Sequence, residues 1–178
     1  MLKPITLIAS LLLFVVGCGQ TMQELGGSPS PNLNDGDNGF FKTIAIANKT
    51  EIDSSRMALD QSQNSGIRDF AQRMIDDHTA AQNELSTLAR QKQVTLPTRL
   101  DSEHQSILDD LKSKSSTDFD KAYLDVQVKA HKDTIAADQD EANNGVDPQV
   151  KGLAGRLLDT LNMHLSMAQK LQNGSDGM

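Results

Sequence analysis

Between Ile67 and Leu88 the apolar residues return every third or fourth position. Ile67, Phe70, Ala71, Met74, Ala81, Leu85 and Leu88 fall on one side of a helix with His78 set among them, while Arg73, Asp76, Asp77, Asn83 and Arg90 fall largely elsewhere. A strand repeats every second residue and cannot present this spacing as one face. The stretch is therefore a long helix that needs partners for its apolar side, and three more segments have the same character.

The first runs from Asp37 or Asn38, either of which is a capping residue, to about Gln61; Phe41, Ile44, Ile52 and Leu59 mark its inner side, with Asn48, Glu51 and Ser55 in or beside it. Asn64-Ser65-Gly66 interrupts the pattern, and Ser65 is the expected cap of the second helix, which ends near Gln93 before Leu96-Pro97. Asp101 caps a short helix to about Lys112 that carries Leu100, His104, Ile107, Leu108 and Leu111 on one side. Thr117 with Asp120 resembles a capping box for the third long helix, which runs to about Asn143 and stops at Asn143-Asn144-Gly145. Its apolar residues form two stripes, Phe119, Tyr123, Val126 and Ala130 beside Leu124, Val128, His131 and Ile135, with Gln127, Thr134 and Asp138 between them. Asp147-Pro148 opens the last helix, whose seam is Val150, Leu153, Ala154, Leu157, Leu161, Leu165, Ala168 and Leu171.

Four helices of about 25 residues, roughly 37 Å each, describe an all-α four-helix bundle with a short extra helix between the second and third long ones. The organisation reads as 1–17 leader, 18–37 tether, 38–173 bundle and 174–178 frayed tail.

Composition narrows the function classes. The net charge is −7, and without the one leader cation, Lys3, it is −8 (−7 minus +1). An acidic surface with 3% aromatics and no Trp argues against nucleic-acid binding. The single cysteine, Cys18, rules out a disulfide framework within the chain and thiolate zinc sites of the finger kind. Gly-rich phosphate loops, a His-Glu-x-x-His motif and a nucleophile elbow are all absent from the sequence.

Lys3 precedes an apolar run from Ile5 to Val16 with the length of a signal-peptide core, shorter than a membrane span. Val15-Val16-Gly17-Cys18 resembles the bacterial lipobox. That resemblance implies cleavage before Cys18 and its acylation, hence attachment to a membrane by several acyl chains. Gly19 follows where an inner-membrane retention signal would have Asp, so the expectation is an outer-membrane lipoprotein facing the periplasm. Gln20 to Asn38, rich in Gly, Ser, Pro, Asn and Asp, is expected to tether the bundle. Asn48-Lys49-Thr50 matches a glycosylation sequon, which carries no meaning in mid-helix of a bacterial lipoprotein.

Phe70-Ala71-Gln72-Arg73-Met74-Ile75-Asp76-Asp77-His78-Thr79, Leu96-Pro97, Asp101-Ser102-Glu103-His104-Gln105, Phe119-Asp120-Lys121-Ala122-Tyr123, His131 and His164 together resemble the bacterial ferritin-like family known as domain of unknown function 4142. The resemblance spans about Asn38 to Leu171, and all four histidines fall where that family has them. Asp159 departs from it, since members often carry proline there. The resemblance implies an envelope ferritin-like bundle and no established reaction.

If the connection between the second and third long helices crosses the bundle, as in ferritin-like folds, Glu51, His78, His131 and His164 come within about one and a half turns of a common level. Imidazole and carboxylate meeting between helices is how bundles hold transition metals. The di-iron pattern of Glu-x-x-His twice is missing, because Ile75 and Leu161 stand at the glutamate positions. The residues thus allow a mixed His/carboxylate site for a divalent transition metal, with Glu51, Asp138 and Asp77 as oxygen donors. They allow, in preference to it, a buried polar network in which the histidines bond to Glu51, Gln127, Thr134 or Tyr123. His104 stands outside the site, and Asp76-Asp77 and Asp109-Asp110 read as solvated charges. The sequence favours a non-enzymatic binding or interaction module of unknown ligand and unknown protein partner, the alternative being a metal-binding or metal-dependent redox protein.

Overall fold

The computed structural model describes residues 33–175. The leader, Cys18, most of the expected tether and the last three residues of the tail lie outside the described residues. Among the described residues there are five helices and no strand: α1 (Asp35–Gln61), α2 (Ser65–Gln91), α3 (Ser102–Lys112), α4 (Ser116–Asn144) and α5 (Pro148–Ser175). None of these helices is long and apolar enough to cross a membrane.

The helix ends show which polar residue won each local competition. α1 starts before the expected Asp37 because Asn34 and Asp37 close a capping box: the Asp37 N–H donates to Asn34 Oδ1 at 2.7 Å and the Asn34 N–H to Asp37 Oδ2 at 2.9 Å. Asn64, not Ser65, caps α2, its Oδ1 accepting from the N–H groups of Gly66 and Ile67. α2 ends at Gln91, where Gln93 takes a left-handed φ of 60° and the Val94 N–H turns back to the Ala89 carbonyl at 2.8 Å. Asp101 caps α3 as expected. The Thr117–Asp120 capping box does not form; α4 begins two residues earlier, after Ser115, with no side-chain cap. Asp147 caps α5 through the N–H groups of Gln149 and Val150. α5 continues to Ser175, past the expected fraying point at Gly174.

Two apolar clusters fix the helix directions. One gathers Phe40, Phe41 and Ile44 of α1 with Leu85 and Leu88 of α2, Val150 and Leu153 of α5, and Ala137 and Ala142 of α4. The other gathers Ala58 of α1, Ile67, Phe70 and Met74 of α2, Phe119, Tyr123 and Leu124 of α4, Ala168 of α5, and Leu111 of α3. The start of α1 thus lies with the ends of α2 and α4 and the start of α5. Accordingly α2 and α4 run the same way, opposite to α1 and α5, and the link through α3 carries the chain from one end of the bundle to the other. α3 packs on α1 and α4, with Ile107 facing the Val126 and Ala130 side of α4 across a cavity.

Between the two clusters the core turns polar. Asn48, Glu51, Ser54 and Ser55 of α1, His78 of α2, Gln127, His131, Thr134 and Asp138 of α4 and His164 of α5 are all buried. That layer is the part of the fold that apolar burial does not explain.

Candidate metal centre

His78, His131 and His164 arrive from three different helices at one level. Their ring centroids form a nearly equilateral triangle, 5.6 Å from His78 to His131 and 5.4 Å along each of the other sides. Each ring can offer a ligand atom within 4.8 Å of the other two. Three nitrogens bound to one ion at about 2.0 Å in tetrahedral geometry lie about 3.3 Å from each other, so the rings need to close by up to about 1.5 Å to share it.

Each ring has one nitrogen engaged and the other unpartnered. His78 Nδ1 lies 2.9 Å from Asn48 Oδ1, and Asn48 is held in that orientation by donating from Nδ2 to Gln82 Oε1 at 3.1 Å. His131 Nδ1 donates to the Gln127 backbone carbonyl at 2.8 Å. His164 Nε2 lies 2.9 Å from Asp77 Oδ2. An acceptor at one ring nitrogen places the proton there and leaves a lone pair on the other. The remaining atoms, His78 Nε2, His131 Nε2 and His164 Nδ1, are buried without a hydrogen-bond partner in the protein.

The electrostatics keep these rings neutral. Burial depresses His78 well below the usual histidine range, reinforced by the neighbouring His131 and His164. Burial lowers His131 to about 4 against the favourable bond from Gln127. His164 is lowered by burial, with Asp77 pulling the other way. Neutral imidazole is the form that ligates a cation, so binding near neutral pH would displace no proton from these nitrogens.

Glu51 stands against the Nδ1 edges, its carboxyl oxygens 3.0 Å from His78 and 3.3 Å from His131. It is not one of the three residues whose ligand atoms lie within 4.8 Å of one another. Burial raises its pKa to about 8, and Asp138 adds to the rise. Asp138 is two turns beyond His131 on α4, about 10 Å along the helix axis. Both of its oxygens are buried without a partner, and burial, with Glu141, lifts it to about 7.

Several expected contacts are replaced by others. Tyr123 pairs with Ser55 at 2.9 Å and with no histidine. The Gln127 side chain goes to Ser54, leaving its main-chain oxygen for His131. Asp77, read from the sequence as a surface charge or an oxygen donor, is the partner of a buried ring 87 residues away. His104 stays apart on α3, bonded to Asp101. Gln82 carried no signal beyond its place one turn after His78.

A cavity of about 280 Å³ lies between α2 and α5, with His78 and His164 among its lining residues. At its rim Asp77 also meets Arg73 at 3.4 Å, and Glu84 pairs with Arg156.

The profile of the family described as "Domain of unknown function (DUF4142)" matches residues 23–171. Among curated proteins, none matches the chain in sequence. Solved structures resemble it in fold. "CopM in the Cu(II)-bound form" is 17% identical with a TM-score of 0.66, over 78% of this chain and 96% of that one. "CopM in the Cu(I)-bound form" is 19% identical with a TM-score of 0.64, over 77% and 96%. A DUF305 fragment from Deinococcus radiodurans is 12% identical with a TM-score of 0.72, over 80% and 99%. At such identities the likeness is one of fold.

Proposed function

The chain belongs to the DUF4142 family, and we propose that it is a metal-binding bundle in which His78, His131 and His164 hold one transition-metal ion of the copper class. The observation that carries this reading is three buried rings that can offer ligand atoms within 4.8 Å of one another, each with one ring nitrogen that has no partner in the protein. A purely structural network has no use for a lone pair left bare on every ring. Such atoms cost about 1–3 kcal/mol each to bury unsatisfied, and an ion removes that cost for all three together.

Imidazole donors without thiolate suit copper, zinc, nickel or iron. Proteins of the same fold in copper- and silver-bound forms support the choice of copper. Asn48, the Gln127 carbonyl and Asp77 fix the proton and orientation of each ring. Glu51 lies against two of the rings as an outer carboxyl, and Asp138 is too far along α4 to share the ion. A bound copper ion would supply a positively charged, redox-active centre; this chain's residues supply its geometry and exclude water. Nothing around the rings nominates a substrate or a nucleophile, so the reading is binding and not catalysis.

The direction pattern of the four long helices supports the ferritin-like assignment. The lipobox-like Val15 to Cys18 supports anchorage by lipid at Cys18, with the bundle facing the periplasm from the outer membrane.

The test is elemental analysis of the purified protein on a Cys18→Ser background, so that the thiol takes no metal, after incubation with Cu(II), Zn(II) or Ag(I) and gel filtration. One equivalent of copper is expected in the parent, and none above background in His78→Ala and His131→Ala. A parent with no bound metal would return the layer to a polar network.

A further inference from the structure

The three ring nitrogens are buried, so an ion has to pass through protein to reach them. The seam between α2 and α5 is the natural breach, because these two helices touch more sparsely than α1 with α2 or α4 with α5. Its cavity has His78 and His164 on its inner side, and both carry an unpartnered nitrogen.

The seam is spanned by two polar rungs. At the outer rung Arg156 of α5 pairs with Glu84 of α2; at the inner rung His164 of α5 meets Asp77 of α2 at 2.9 Å. Glu84 and Asp77 are seven residues apart on α2 and so share a face, as do Arg156 and His164, eight apart on α5. Between the rungs the small side chains of Ala81 and Thr160 leave the space open. The inner rung is graded in exposure, Asp77 having a side chain 35% exposed and His164 one 1% exposed.

We propose that the α2–α5 cleft is the route by which the cation reaches the centre, received first by Glu84 and then by Asp77, with Arg156 closing the mouth by occupying Glu84. The proposal rests on the metal-binding reading and adds a path and a gate to it. Arg156 and Glu84 are both well exposed, at 62% and 46%. A pair so placed holds weakly and separates readily, as a gate requires. The arriving cation takes the place of the guanidinium on Glu84. It then moves two turns along α2 to Asp77, displacing Arg73 from the oxygen that also meets His164 Nε2, and passes from there to the unpartnered Nδ1 of that ring. No bond other than coordination forms or breaks.

The sole tyrosine, in a chain without tryptophan, provides the measurement. Tyr123 is linked to His164 through Phe70, with ring centroids 6.3 Å and 6.5 Å apart in turn, close enough for Cu(II) to quench its fluorescence. Stopped-flow mixing of the full chain carrying Cys18→Ser with copper sulfate at low salt reads the association rate, and competition with a chelator reads the affinity. Arg156→Gln should speed association by roughly threefold or more and Glu84→Gln should slow it comparably. Both changes should shrink at high salt, while affinity moves less than about twofold. Glu103→Gln, on α3 away from the seam, should match the parent. Parent-like rates in both cleft variants, with copper still bound at equilibrium, would overturn the route. A parent that binds no copper would instead defeat the metal reading itself, and the two failures are distinguishable in the same experiment.

Discussion

Glu51→Gln should remove the alkaline limb of the metal-free protein's stability. The carboxyl is buried at 0% exposure, and its pKa stands at about 8 in the fold against 4.5 for the free group. Above pH 4.5 the unfolded chain has released this proton and the folded chain has not, so raising the pH favours unfolding. The stabilisation is whole below 4.5 and is lost as pH climbs through about 8. Its slope is about 1.4 kcal/mol per pH unit, or about 2 kcal/mol between pH 6.5 and 8, a sizeable share of the ~5–15 kcal/mol of a typical domain. His131, lowered to about 4, and His78 and His164, also lowered, act in the opposite sense, an effect that fades within about one pH unit above their unfolded value near 6.5 and so leaves pH 7.5 to 8 to Glu51. Asp138, lifted to about 7, contributes to the fall only up to about that pH. Urea titrations at pH 6.5, 7.0, 7.5 and 8.0 with chelator present isolate the effect. Glutamine keeps the shape of the neutral carboxyl and cannot ionise, so its curve should be flat from pH 7.5 to 8 where the parent's falls. A variant whose stability declines in parallel with the parent over that range would refute the assignment of a neutral carboxyl to Glu51.

Lys92→Met should cost about 3 kcal/mol or more, because it strands Asp147, a buried carboxylate that Lys92 meets at 2.6 Å and that also caps α5; chemical denaturation measures it, and a loss under about 1 kcal/mol would mean that Asp147 finds other partners. His131→Leu should leave metal-free stability within about 1 kcal/mol of the parent or above it, while abolishing the rise in Tm on adding copper; a loss beyond about 3 kcal/mol without metal would mark the ring as a structural element.

The fold was legible because helical periodicity is a local property. The face carrying Ile67, Phe70, Met74, Leu85 and Leu88 is buried as its spacing requires, and the level shared by His78, His131 and His164 follows from helix lengths and direction. Partners are a different matter. Periodicity says which way a side chain faces but not what it meets, and one residue turns a helix by about 100°. Asp77 sits at the edge of the apolar face of α2, where a solvated charge and a reach across to α5 look alike; only the placement of His164 on the facing helix decides between them. Tyr123 stood among the candidate partners of the histidines, and the rotation of α1 that presents Ser55 takes its hydroxyl instead. Asn34 lost its place as a cap in the sequence because six polar or glycine residues, Asn34 to Gly39, follow one another there, and the reciprocal bond to Asp37 is what selects it.

The layered core explains how a bundle can carry so much polarity at mid-height. Burying apolar side chains in two separate clusters, one on each side of the polar layer, holds the four helices in register without help from the middle. That layer leaves three ring nitrogens, Glu51 and Asp138 without hydrogen-bond partners in the protein. Apolar residues of the same volume would pack there at lower cost. A network serving only helix register would turn its donors and acceptors toward one another, as Ser55 does with Tyr123 and Gln127 with Ser54. The histidines do the reverse: each engages one nitrogen with an acceptor from the chain and leaves the other without a partner. Under the proposed metal reading, the cost of burying one unpartnered nitrogen on each neutral ring is what a cation held among the three rings would remove.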